Sequence, residues 1–201
     1  MSAAPPYFLP VAQNDTIWED QLFTKALSGR DDDGDSIFMQ LLAAPNGVTL
    51  TTLSDTTWRL NWTPVDSSRG WHELKLRLGD TTAMFDTLIL NWWVRNTNDP
   101  PVFNISLFYD TLLQSSSYQR DIFFSDPDDS VFTLLTIKKP PGLNITSIWN
   151  QKKIRLSWLP GNSDLGTDTL KMIIRDDSLA LDTLTGILTV LNHNDPPFFF
   201  G

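Results

Sequence analysis

Oxygen donors dominate the chemistry this chain can offer. Acidic and amide side chains gather in short segments: Asp32-Asp33-Gly34-Asp35-Ser36, Asn96-Thr97-Asn98-Asp99, Asp126-Pro127-Asp128-Asp129-Ser130 and Asn192-His193-Asn194-Asp195. With a net charge of −9, such an acidic balance suits divalent cations. The plainer role for the same residues is local, because Asp and Asn close Asx-turns and cap loops. Other reactive types are sparse. His72 and His193 are the 2 histidines, and neither has a second histidine at ligand spacing, so zinc is not expected. With 0 cysteines there is neither a disulfide framework nor a thiolate site. No Gly-x-Ser-x-Gly elbow, His-Glu-x-x-His helix or Gly-rich phosphate loop is present. The 8 tryptophans are unusual. Trp93, together with Trp71 or Trp18, offers a stacking platform for a sugar ring; the duller role is to cover a sheet edge or a neighbouring domain.

The elements that carry these residues are written twice. Markers recur in order at a period of about 95 residues. Pro5-Pro6-Tyr7-Phe8 returns as Pro100-Pro101-Val102-Phe103, and Pro45-Asn46-Gly47 as Pro140-Pro141-Gly142. Leu60-Asn61-Trp62-Thr63-Pro64 returns as Leu156-Ser157-Trp158-Leu159-Pro160. The Asp-rich loop at 32–36 matches that at 126–130, and Gly70, Asp80, Asp86 and Leu88 match Gly166, Asp176, Asp182 and Leu184. Asn96 to Pro101 returns as Asn192 to Pro197. A catalytic site is expected to break such symmetry, whereas the acidic pairs obey it, so no enzymatic activity is expected. Within each copy apolar residues alternate with a period of two: Leu74, Leu76 and Leu78; Leu88, Leu90, Trp92 and Val94; Leu170, Met172 and Ile174; Leu184, Gly186, Leu188 and Val190, the glycine standing where the first copy has Leu90. Strand-sized runs at roughly 8–12-residue spacing, with turn signals between them, indicate a sandwich or barrel of about seven strands per copy.

Composition sets the outer limits. Of 201 residues, 41% are hydrophobic and 19% charged, which is normal for globular protein and leaves room for two ordinary domains. A net charge of −9 repels a phosphate backbone, so no nucleic-acid partner is expected. No run of about 18 apolar residues exists, so no helical membrane insertion is expected. The start, Met1 to Ala4, lacks the basic and apolar regions of a signal peptide, and the expectation is a segment excised from a longer chain. Asn14-Asp15-Thr16, Asn61-Trp62-Thr63, Asn104-Ile105-Ser106 and Asn144-Ile145-Thr146 satisfy the N-glycosylation pattern.

Three matched elements resemble the cadherin-type repeat, in particular the cadherin-like variety of dystroglycan and of many bacterial surface proteins. They are the Asp-x-Asp loop of Asp126 and Asp128, the Trp-x-Pro…Gly…Asp stretches Trp62 to Asp80 and Trp158 to Asp176, and the closing Asn-x-Asn-Asp-Pro-Pro. The resemblance implies calcium at the junction between repeats, holding the angle between two stiff struts. Carried over position by position, it implies Glu19, Asn96, Asn98, Asp99, Asp126, Asp128 and Asp176 as the oxygen donors. This sequence departs from the family at three places. Asn96 stands where the family has Asp. Trp62-Thr63-Pro64-Val65-Asp66 replaces a Leu-Asp-Arg-Glu stretch, with Asp66 as a substitute carboxylate. The region aligned with Glu19 reads Leu113-Gln114-Ser115-Ser116.

The expected architecture is all-β, with two tandem Greek-key sandwiches of the immunoglobulin-like and cadherin-like kind end to end. They span residues 5–99 and 100–196, with residues 197–201 opening a third copy. The expected function is a non-catalytic extracellular spacer or adhesion segment of a larger surface or secreted protein, partnered by other repeats of its own chain, by another surface protein or by a polysaccharide. The alternative is a carbohydrate-binding module using exposed tryptophans, Trp93 and Trp71.

Overall fold

The structure is a computed structural model, and it describes residues 4–193. It separates into two units, one running to Thr97 and the other starting at Asn98, just before the Asp99–Pro100 boundary marked by the repeat. Residues 197–201, the expected start of a third copy, lie outside the described residues.

The first unit contains β1 (Tyr7–Phe8), β2 (Asn14–Trp18), β3 (Phe23–Arg30), β4 (Ile37–Ala43), β5 (Thr49–Ser54), β6 (Thr57–Trp62), β7 (Gly70–Asp80) and β8 (Phe85–Arg95). They form two four-stranded sheets, ordered β1-β3-β6-β5 and β2-β8-β7-β4. The seven expected strands become eight because the first is split between sheets. The Leu9 N–H still donates to the Ser28 carbonyl at 2.9 Å. Pro10 has no N–H to continue that ladder, and the chain crosses to pair in parallel with β8.

The second unit repeats this plan with β9 (Val102–Phe103), β10 (Leu107–Leu113), β11 (Tyr118–Ser125), β12 (Thr133–Lys138), β13 (Asn144–Ile148), β14 (Lys153–Trp158), β15 (Gly166–Arg175) and β16 (Leu181–Leu191). Its sheets are β9-β11-β14-β13 and β10-β16-β15-β12, with β10 parallel to β16. Even irregularities recur: the register slips between Leu41 and Ala43 in β4 and between Thr136 and Lys138 in β12. Among the described residues there is no α-helix.

Each unit closes its own core. Leu74, Leu76, Leu78, Leu90 and Trp92 are fully buried in the first; Leu170, Met172, Ile174, Leu184 and Leu188 are fully buried in the second. Side chains of alternate residues point to opposite faces of a strand, so each alternating segment delivers one apolar row inward. Full burial of a Leu or Ile side chain contributes roughly 1.5–3 kcal/mol.

The matched markers have structural work to do. Trp62 and Trp158 are core residues, each backed by a turn at Gly47 (φ 86°) or Gly142 (φ 74°). A Cβ there would sit 3.7 Å and 3.3 Å from the respective indoles, on backbone that disfavours L side chains. Asp86 and Asp182 pin the short first strands, accepting hydrogen bonds from the Phe8 N–H (3.2 Å) and the Phe103 N–H (2.8 Å).

Candidate cation sites and an aromatic face

At one end of the first sandwich, the loop leaving β3 and the β7–β8 turn bring Asp31, Asp35 and Asp80 together, with one carboxylate oxygen of each within 4.8 Å of the others. Asp31 Oδ1 accepts the Asp33 and Asp35 N–H groups at 2.8 and 3.3 Å, folding the loop over itself. Asp80 Oδ1 accepts the Thr82 N–H, Thr82 Oγ1–H and Met84 N–H at 2.8, 2.9 and 2.9 Å. Burial pushes the Asp80 carboxyl up, but hydrogen bonds from Met84, Thr82 and Ala83 together outweigh it and hold the group below its ordinary value. The second oxygens, Asp31 Oδ2 and Asp80 Oδ2, are buried and have no hydrogen-bond partner among the described residues. Each carboxylate thus spends one oxygen on its loop and keeps the other in reserve.

The second sandwich builds the same arrangement at the same end. Asp126 Oδ1 accepts the Asp128 and Asp129 N–H groups at 2.9 and 2.6 Å, and Asp176 Oδ1 accepts the Ala180 N–H at 2.8 Å. Asp126, Asp129 and Asp176 converge within 4.8 Å, and Asp126 Oδ2 and Asp129 Oδ2 are buried without a hydrogen-bond partner among the described residues. Burial first, then the charges of Asp177, Asp126, Asp176 and Asp128, push the Asp129 carboxyl above its ordinary range. Asn98 Nδ2 donates to Asp176 Oδ2 at 2.9 Å, and the Asp99 N–H donates to Asp128 Oδ2 at 2.7 Å. Five of the residues implied by the family resemblance therefore gather in this unit.

The other two, Glu19 and Asn96, gather in the first unit. Glu19 is 0% exposed, its Oε1 accepts the Thr97 N–H at 2.8 Å, and its Oε2 lies 3.6 Å from Arg69 Nε. Arg69 Nη1 also donates to Asn96 Oδ1 at 2.5 Å. A guanidinium therefore already balances Glu19. Asp66 opens the 3₁₀ turn Asp66–Ser68, where its carbonyl receives Arg69 Nε at 2.8 Å.

Sequence reasoning missed Asp129, Arg69 and the trio Asp31, Asp35 and Asp80 as a set. Asp80 was matched to Asp176, a signal for the trio. The loops differ in length, however: it is Asp31, directly after β3, that stands where Asp126 stands directly after β11, so aligning Asp32 with Asp126 slips the register by one.

On the outer face of β7 and β8, Trp71 and Trp93 sit opposite each other, 65% and 36% exposed. Their ring centroids are 5.2 Å apart and their planes inclined at 58°, an angled pair and not the near-coplanar rings that a flat sugar surface would call for. Trp18 is also exposed, with the Arg95 guanidinium 5.5 Å over its ring.

No protein-family model and no curated protein sequence matches the chain. In fold it is similar to protocadherin gamma B2 extracellular cadherin domains 1–5, with a TM-score of 0.59 and 16% identity over 95% of this chain and 41% of that one. It is also similar to the protocadherin gamma B4 extracellular domain, with a TM-score of 0.54 and 17% identity over 92% of this chain and 33% of that one. An endo-fucoidan hydrolase of glycoside hydrolase family 107 aligns with a TM-score of 0.46 and 20% identity over 94% of this chain and 29% of its own, too distant to carry an argument. The likeness to the protocadherins shows the fold: tandem cadherin-like sandwiches, spanning well under half of those chains.

Proposed function

We propose that this chain is a non-catalytic structural and adhesive segment of a larger extracellular or cell-surface protein, in which calcium bound at the acidic end of each sandwich stiffens the loops there. One observation carries the calcium reading: in both repeats, at the same end, buried carboxylate oxygens have no hydrogen-bond partner among the described residues. Among the described residues these carboxylates also lack a Lys or Arg ion-pair partner, in contrast to Glu19. A buried charge without a partner is costly, and a hard cation offsets that cost with oxygen coordination. Asp31, Asp35 and Asp80 would hold one ion, and Asp126, Asp129 and Asp176 another, each trio supplying part of the shell. The extracellular reading rests on the cadherin-like fold.

Calorimetric melting in calcium and in chelator tests it. Extracellular modules bind calcium with dissociation constants of about 10⁻⁴–10⁻³ M. A free concentration near 100 times the dissociation constant adds about 2.7 kcal/mol. Asp80→Asn is expected to abolish the gain in the first repeat and Asp126→Asn in the second. Identical melting in calcium and in chelator would remove the ion and leave the spacer reading standing.

A further inference from the structure

We propose that the outer face of the β2-β8-β7-β4 sheet of the first repeat binds a soluble chain of neutral pyranose sugars, with Trp71 and Trp93 as the stacking surface and Asn14, Glu73 and Asn91 as hydrogen-bonding groups. This site is separate from the calcium reading and does not depend on it.

The fold does not require these two indoles. Trp71 pairs with Trp93 in the β7–β8 register, and in the second repeat the same ladder position pairs Thr167 with Thr189, their hydroxyls hydrogen-bonded to each other at 2.9 Å. The equivalent sheet is built there without an aromatic ring at either place. An exposed aromatic pair that one copy has and the other dispenses with is a feature added to the scaffold.

The row beside the tryptophans supplies polar complement. Asn14 pairs with Asn91, and Asn91 with Glu73, so three planar polar groups lie across β2, β8 and β7 next to the row of Thr16, Trp93 and Trp71. Same-face residues along a strand are about 6.6 Å apart, close to the span of one sugar ring. Beside Trp71 lies an open depression of about 340 Å³ lined by Asn14, Trp71, His72, Glu73 and Asn91, at the small end of the range for ligand sites. A pyranose has an apolar C–H face and a rim of hydroxyls. An indole takes the face, while carboxamides and a carboxylate take the rim as donors and acceptors.

Charge and angle narrow the ligand further. Glu73 is the acidic group in this lining, and a carboxylate against the ligand disfavours anionic sugars. Rings inclined at 58° cannot both lie flat on one plane. That geometry suits a twisted, soluble chain, one ring stacking on one unit, and not a flat crystalline surface.

The test uses the full chain made in a host that does not modify Asn14. Affinity electrophoresis would be run through soluble β-glucan, mannan, xylan and galactan, with alginate as the anionic counterpart. Retardation by at least one neutral polysaccharide and not by alginate is expected. Trp71→Ala and Glu73→Gln should each weaken it at least tenfold, with melting temperature unchanged. Tyr109→Ala, on the outer face of the second repeat, should leave it intact, and chelator should too. Absence of retardation by all four neutral polymers, or retardation that survives Trp71→Ala, would overturn the proposal. Self-association that Trp71→Ala abolishes, seen by sedimentation without any polysaccharide, would also overturn it and assign the face to a second copy.

Discussion

The two repeats fill one position of the core from different strands. In the first, Leu90 on β8 is fully buried opposite Leu74. In the second, the same position is Gly186, opposite Leu170, and the space is taken by Phe108 from the neighbouring strand β10. A Cβ on Gly186 would come within 2.3 Å of the Phe108 ring. Packing density is restored by a residue distant in sequence from the one removed, so close packing constrains total volume and not the source of each side chain.

One charged pair, by contrast, keeps its strand positions and gains partners. Lys25 and Asp15 meet at 2.7 Å in the first repeat. In the second, Arg120 and Asp110 meet at 2.8 Å, the Tyr118 hydroxyl donates to Asp110 at 2.6 Å, and the Arg120 guanidinium lies 4.3 Å over the Phe108 ring. Burial, followed by the hydrogen bond to Asp110, pushes the Tyr118 hydroxyl well above its ordinary value. At the end of the sandwich away from the acidic loops the second repeat drops both charges: Gln114 and Leu165 stand where the first has Glu19 and Arg69, and Gln114 Nε2 donates to Asn162 Oδ1 instead. Removing one charge alone would have left the other buried or idle. The pattern of difference is therefore compensated pairs on matching strands, while the connections vary: the loops after β3 and β11 differ in length, and a 3₁₀ turn at Trp149–Gln151 is added in the second repeat. Even left-handed non-glycine residues coincide, Asp20 (φ 61°) with Ser115 (φ 59°) and Ala83 (φ 70°) with Leu179 (φ 74°).

This comparison can be broken by separating the compensated partners. The largest effect is expected at the core. Gly186→Leu should destabilise the second repeat by about 3 kcal/mol through overpacking, with the first repeat unmoved. Adding Phe108→Ala should recover much of that loss by recreating the first repeat's arrangement; a double variant no better than the single would show the two positions do not share one space. Next comes the Glu19–Arg69 pair. Arg69→Leu should cost about 1 kcal/mol, less than a fully enclosed pair would because Arg69 is partly exposed to solvent. Glu19→Gln in that background should restore most of it, and chemical denaturation of the four proteins closes the cycle; strictly additive costs would deny the coupling.

The smallest effect concerns pH in chelator. The folded-state value of Asp129 is raised, so wild type gains relative to Asp129→Asn at acid pH, below about 3.9 where the unfolded group also holds its proton. That gain is lost as pH rises through the raised folded value, and the variant becomes the more stable at neutrality. A difference in melting temperature that stays constant from about pH 3 to about pH 7 would contradict the crowding of these carboxylates.

Much of the fold was legible because its signals are short-range. Alternation alone placed Leu74, Leu76 and Leu78 on one face, and all three are 0% exposed. Trp93, a single residue from buried Trp92, was correctly turned outward by the same rule. The acidic loops were visible as composition, and Asp126, Asp128 and Asp176 were named from family likeness. Arg69 was not legible, since nothing in Val65-Asp66-Ser67-Ser68-Arg69 says that its guanidinium reaches Glu19, fifty positions earlier. Nor was the 58° inclination of Trp71 and Trp93 legible, because pairing register fixes opposition and side-chain packing fixes ring angle.

The sequence by itself determined that one β unit occurs twice, where its strands run and which way their side chains point, because a two-residue period and a turn signal act on neighbours along the chain. Only the tertiary structure decided which oxygens converge and which stay without a partner, that Phe108 replaces the missing side chain at Gly186, and that Arg69 answers Glu19. Those are contacts between strands far apart in sequence, where distance, volume and charge are balanced across space and leave no local trace.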